Sequence, residues 1–166
     1  MDAQQERDFD DYVRARGQAL MKLSFYLVGD RQLAEDVCQS ALVRLYRAWP
    51  RVARVESLDA YTRRVVVNEA HRWWRRPSSR ETARAQVPDT SVPTDTAIEV
   101  RDELWRLLLS LPRRQRAVLV LRYLEEFSEQ ETAMALGCSV GTVKSTGSKA
   151  LARLRAAAAP QLGGVE

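Results

Sequence analysis

The sequence predicts an all-α fold of two small helical domains joined by a flexible linker, the second ending in a helix-turn-helix. Apolar residues recur every three or four positions through both halves, and no strand signal bounded by Gly-Asn or Gly-Asp turns occurs. A proline- and hydroxyl-rich stretch separates the halves. At 166 residues and 45% hydrophobic content, the chain has room for one or two small cores.

Phe9, Val13, Leu20, Leu23 and Leu27 mark the first helix, and Gly29-Asp30 ends it and caps the next. Leu33, Ala34, Val37, Cys38, Ala41, Leu42 and Leu45 mark the second, which closes near Trp49-Pro50. After a loop rich in arginine and valine, a third helix runs from about Leu58 to Arg76, where Pro77 stops it. Residues 1–76 form the first domain, and 77–100 the linker. Beyond it, Leu104, Leu107, Leu108 and Leu111 form a short amphipathic helix, and Pro112 opens another containing Val118, Leu121 and Leu124. With the helix-turn-helix these make a second domain over 101–158, followed by a tail over 159–166.

The helix-turn-helix is written in local chemistry. Ser128 caps its first helix, and Glu131 three residues on completes a capping box. Gly137 suits a helix C-terminus and Ser139 recaps the chain, so the turn is Gly137-Cys138-Ser139. In the second helix Val140, Val143, Gly147, Ala150, Leu151 and Leu154 face inward, and Lys144, Ser145, Ser148 and Lys149 share the opposite face. A compact cationic and hydroxyl face on such a helix suits major-groove reading, and the alternative is an ordinary helical hairpin with a solvated polar face. Gly147 costs about 1 kcal/mol of helix propensity relative to alanine, so either a neighbour approaches closely there or the helix is locally soft.

The net charge of +4 is segregated along the chain. Residues 1–43 sum to −3, 44–76 to +6, 77–112 to −2 and 113–155 to +4, which sets two basic blocks around an acidic spacer. Cys38 and Cys138 form no CxxC pair and no signal-like apolar N-terminus is present, so a reducing cytoplasm is the expected compartment. No apolar run reaches transmembrane length, and membrane insertion is not expected.

On the third helix Tyr61, Arg64, Asn68, His71, Arg72 and Arg75 recur at steps of three or four, with Trp73 and Trp74 beside them. Arginines hold phosphates, an aromatic ring stacks on a base and Asn68 can bond a base edge, a set that suits single-stranded nucleic acid. The same pattern also describes core aromatics beside a solvated arginine face. His71 has no carboxylate or cysteine at ligand spacing, so no metal is expected, and nothing calls for a cofactor. On the second helix Glu35, Asp36, Gln39, Ser40 and Val43 by themselves read as a solvated polar face.

Four segments together resemble the bacterial extracytoplasmic-function (group IV) sigma factors of RNA polymerase. They are GDRQLAEDVCQSALVRLYRAW at 29–49, AYTRRVVVNEAHRWWRR at 60–76, LPRRQRAVLVLRYLEEFSEQETAMALGCSVGTVKS at 111–145 and ALARLR at 150–155. The resemblance spans about Asp8 to Arg155. It implies that the two domains are sigma regions 2 and 4, and that Asp36, Gln39, Val43 and Arg44 dock on the β′ clamp helices of core RNA polymerase. It implies that Tyr61, Arg64, Asn68, His71, Arg72, Trp73 and Arg75 engage the minus-ten element as its strands separate, Asn68 reading a flipped base. Thr142, Lys144, Ser145, Ser148 and Lys149 then enter the major groove of the minus-thirty-five element, with the β flap as a further polymerase contact. An anti-sigma factor is the implied regulatory partner, and the linker threads the polymerase cleft. Thr146 and Gly147 stand where the family commonly has an arginine and a bulky apolar residue, so groove contacts here lean more on backbone and DNA shape.

Two rival readings predict different behaviour. A dimeric regulator built on the same helix-turn-helix self-associates and binds duplex DNA without polymerase. A nuclease needs a metal or carboxylate-histidine constellation, and the sequence offers no HExxH and no phosphate-cradling glycine loop.

Overall fold

In the computed structural model, which describes the backbone of residues 1–76 and 99–162 and the side chains of 1–76 and 103–159, Asp2 opens the first helix with a reciprocal cap. The Gln5 N–H donates to the Asp2 carboxylate at 2.8 Å and the Asp2 N–H donates to Gln5 Oε1 at 3.1 Å. Helix α1 (Ala3–Val28) ends at Gly29, whose φ of 75° is left-handed. Asp30 then caps α2 (Arg31–Val52) by accepting from the Leu33 N–H at 3.0 Å, as its sequence predicts. Helix α3 (Leu58–Arg75) completes the unit. Arg76 leaves the helix with ψ at 132°, because the ring of Pro77 excludes helical backbone in the residue before it.

Two units divide the chain, Met1–Val87 and Pro88–Glu166. In the first, α1, α2 and α3 each pack against the other two around Leu23, Leu27, Val37, Leu45, Val66 and Val67, all at most 2% exposed. Each such side chain contributes about 1.5–3 kcal/mol by leaving water. An aromatic corner closes one end: the Phe9 ring stands edge-on to Tyr46 and Trp49 at 5.1 and 5.2 Å. The Tyr12 hydroxyl ties α1 to α3, donating to Asp59 at 3.0 Å, and Arg16 pairs with the same carboxylate. One expectation is corrected. Helix α2 does not close at Trp49-Pro50 but continues to Val52: proline removes one donor near the end of the helix, and the Ala53 N–H still reaches the Trp49 carbonyl at 2.9 Å.

The second unit contains α4 (Glu99–Leu109), α5 (Arg113–Leu119), a π-helical turn (Val120–Leu124), α6 (Glu129–Leu136) and α7 (Val140–Leu162). Helix α7 packs against α4, α5 and α6. The apolar stripe of α4 is displaced from its expected position: Trp105 and Leu108 are buried, with Leu111 beyond the helix, whereas Leu104 is 39% exposed. Leu124 also lies outside the core, at 43% exposed. In the π turn the Glu125 N–H bonds the Val120 carbonyl at 2.9 Å, five residues back, which rotates the chain and turns Phe127 inward to 2% exposure instead. The expected linker lies outside the described residues except at its C-terminal end, where Glu99 already begins α4.

Candidate nucleic-acid interface

The geometry of the second unit begins with its caps. Ser128 Oγ accepts from the Glu131 N–H at 3.0 Å, and Gly137 turns the chain at φ 64°. Ser139 Oγ then accepts from the Thr142 N–H at 3.0 Å, so the turn has the three residues its sequence predicts. Val143 and Ala150 are buried and Val140, Gly147, Leu151 and Leu154 are half-buried. Lys144, Ser145, Ser148 and Lys149 are all exposed, so the polar and apolar faces of α7 separate as expected. Thr142 is half-buried, and its hydroxyl lies 2.9 Å from that of Ser139. Lys144 is drawn towards the preceding helix, where Glu129 Oε2 lies 3.7 Å from its ammonium. Gly147 faces α5: a Cβ at this position would lie 3.5 Å from Val118 Cγ1, an ordinary contact.

In the first unit, α2 and α3 enclose an open groove of about 1130 Å³. Asp36, Gln39, Val43 and Arg44 line it from α2, and Tyr61, Asn68, His71, Arg72 and Trp73 line it from α3. Residues that sequence pattern assigns to two surfaces therefore share one concavity. Arg64 and Arg75 are exposed but stand outside the groove lining. Val66 and Val67 are fully buried and anchor α3, while Val65 lines the groove.

The aromatics answer the choice between core and stacking platform residue by residue. Trp73 is half-buried, and the Arg76 guanidinium lies 4.2 Å from its ring centroid. Trp74 is also half-buried and stands edge-on to His71 at 6.0 Å. Neither tryptophan is a fully buried core residue.

Sequence pattern misses four charged groove residues, Arg47, Arg51, Glu69 and Arg76. The first two repeat the spacing of Arg44 along α2 and were findable from it. Glu69 was not. Its side chain is 8% exposed and pairs with Arg44 from α2, while Arg72 Nη1 lies 3.9 Å from the same carboxylate oxygen.

Residues 12–80 match the family model for Sigma-70 region 2, and residues 101–154 match that for Sigma-70, region 4. The RNA polymerase sigma-E factor of Streptomyces avermitilis is 46% identical over 149 residues, covering 89% of this chain and 83% of the relative. The chain belongs to the ECF sigma factors of RNA polymerase. The ECF RNA polymerase sigma factor SigM of Mycobacterium tuberculosis is 31% identical over 150 residues, covering 88% of this chain and 74% of that relative. Among solved structures, the sigma factor RpoE in complex with the anti-sigma factor NepR from Bartonella quintana covers 90% of this chain and 95% of its own, with a TM-score of 0.69. At 23% identity that likeness concerns the fold.

As an ECF sigma factor the protein is a promoter-directing subunit of RNA polymerase, a transcription initiation factor with DNA-binding region 4. Among the described residues no helix is long and apolar enough to cross a membrane, and no three His, Cys, Asp or Glu side chains group as a metal site.

Proposed function

We propose that the sigma factor works through three faces. Asp36, Gln39, Val43 and Arg44 dock on the β′ clamp helices of core polymerase. Tyr61, Arg64, Asn68, His71, Arg72, Trp73 and Arg75 hold the separating minus-ten strand, and Thr142, Lys144, Ser145, Ser148 and Lys149 meet the minus-thirty-five groove. The observation that carries this reading is the shared groove, in which the four α2 residues and Tyr61, Asn68, His71, Arg72 and Trp73 of α3 face one concavity lined by several arginines. Region 4 adds an exposed face of two lysines and two serines suited to phosphates and base edges.

The chain itself performs no catalysis; the polymerase supplies the chemistry, in the cytoplasm, and the β flap receives region 4. The solved sigma factor RpoE, captured with the anti-sigma factor NepR, supports a partner of that class for this chain, one that covers the same faces. Reconstitution with core polymerase and mapping of transcript starts across genomic DNA tests the whole reading. Starts that depend on the added chain are expected, and active core without them overturns it.

A further inference from the structure

Glu69 occupies a place where a charge is costly. Its neighbours on α3, Val66, Val67 and Ala70, are fully buried, and its own side chain is 8% exposed. A carboxylate withdrawn from water to this extent persists only when paired, and a well-packed apolar residue of similar volume commonly serves stability as well or better. What the carboxylate adds is geometry. One oxygen, Oε1, meets Arg44 from α2 and lies 3.9 Å from Arg72 one turn further along α3. Both arginines keep about half or more of their side chains exposed, 47% and 60%. Each is therefore tethered at one end over the groove and presented to solvent at the other.

We propose that Glu69 is a positioning residue that fixes Arg44 and Arg72 across the groove, so that the polymerase-facing and strand-facing walls are presented in one register. The proposal rests on the functional reading of α2 and α3 given above. An arginine held before binding loses less side-chain freedom when its partner arrives, which strengthens the contact without adding one. Arg44 contacts Glu69 through Nε, the nitrogen nearest its stem, so the tether acts at the base of the guanidinium.

The test uses full-length chains carrying Glu69→Gln, Arg44→Ala, Arg72→Ala and Glu69→Gln with Arg44→Ala. Affinity for core polymerase is measured first, then the affinity of each holoenzyme for forked promoter DNA. Glu69→Gln should retain the helical spectrum, weaken core binding about fivefold and weaken fork binding, and the double variant should bind core no worse than Arg44→Ala alone. Wild-type affinities for Glu69→Gln, or losses that simply add in the double variant, overturn the proposal. Arg44→Ala that binds core as wild type overturns the assignment of α2 itself, a separate failure. In the wild-type chain, nitrogen NMR should show an Arg44 Nε–H protected from solvent exchange. Exchange as fast as in free arginine overturns the tether whatever the variants do.

Discussion

Lys144 on the second helix of the helix-turn-helix lies 3.7 Å from Glu129 in the first turn of the helix before it. The cation that the proposed function assigns to DNA thus carries its own competing anion. With side chains 66% and 37% exposed, the pair is screened by water and worth well under about 1 kcal/mol to the fold. On the proposed DNA-binding face its effect is larger, because a phosphate paired with Lys144 would meet the Glu129 carboxylate. Lys144→Ala should weaken holoenzyme binding to all promoters alike and flatten the logarithmic salt slope by about 0.9. Glu129→Gln should do the opposite, tightening binding about twofold to threefold at low salt. Affinity measured across a salt series checks both. A changed base preference in Lys144→Ala contradicts the phosphate role and makes the lysine a reader of base edges.

Gly147 separates two explanations for a glycine inside a helix. Its φ is not among the positive ones, and the space beyond it ends 3.5 Å away at Val118 Cγ1, which a methyl group can occupy in ordinary contact. Gly147→Ala should therefore stabilise the second unit by about 0.5–1 kcal/mol, through a less disordered unfolded chain and better helix propensity. Gly137→Ala should do the reverse by about 1 kcal/mol, since its φ of 64° is left-handed. Urea melts of the full chain by circular dichroism give both shifts. Destabilisation by Gly147→Ala would show that α7 and α5 approach more closely than this contact implies.

These features divide into those that sequence reveals and those that it conceals. Ser128, Gly137, Ser139 and the Gly29-Asp30 pair are legible because each meets a demand of the backbone within four residues of itself. The polar face of α7 is legible because helical period alone separates Lys144, Ser145, Ser148 and Lys149 from Val143 and Ala150. Leu104 and Trp105 are adjacent and both apolar, and only the packing of α4 chooses the tryptophan for the core. The π turn is equally hidden, since its five-residue bond turns Leu124 outward for the sake of docking Phe127. Glu69 looks like one more polar residue on an arginine-rich helix until α2 covers it. Sequence pattern assigns the residues of α2 and α3 to separate surfaces, and the groove joins them through packing between distant segments.

Thr132 carries a cost that its helix does not need. The residue is fully buried on α6, and among the described residues its hydroxyl has no hydrogen-bond partner. Valine keeps the branched shape and removes the buried polar atom. Thr132→Val should raise stability by about 1 kcal/mol and leave promoter binding unchanged, since the side chain is fully buried on α6 and is not part of the exposed face of α7. Paired thermal melts and promoter titrations check this. A loss of stability would show that the hydroxyl contributes more to the fold than its burial costs.

The two thiols should react at very different rates. Cys38 is buried on α2 at 6% exposure, and burial pushes its pKa above the ordinary thiol value, although a hydrogen bond with Ser24 opposes the rise. Cys138 sits half-buried in the tight turn of the helix-turn-helix. Thiolate is the nucleophile, so a raised pKa and closed access both slow Cys38. With iodoacetamide near pH 8, mass spectrometry should find the first adduct on Cys138, with Cys38 slower by at least about tenfold. Raising the pH should keep accelerating Cys38 beyond the range in which an ordinary thiol levels off, because burial delays its thiolate. Concentrated urea should bring the two rates together. Equal rates in the native chain would mean that α2 opens on the timescale of alkylation, and the groove it walls would open with it.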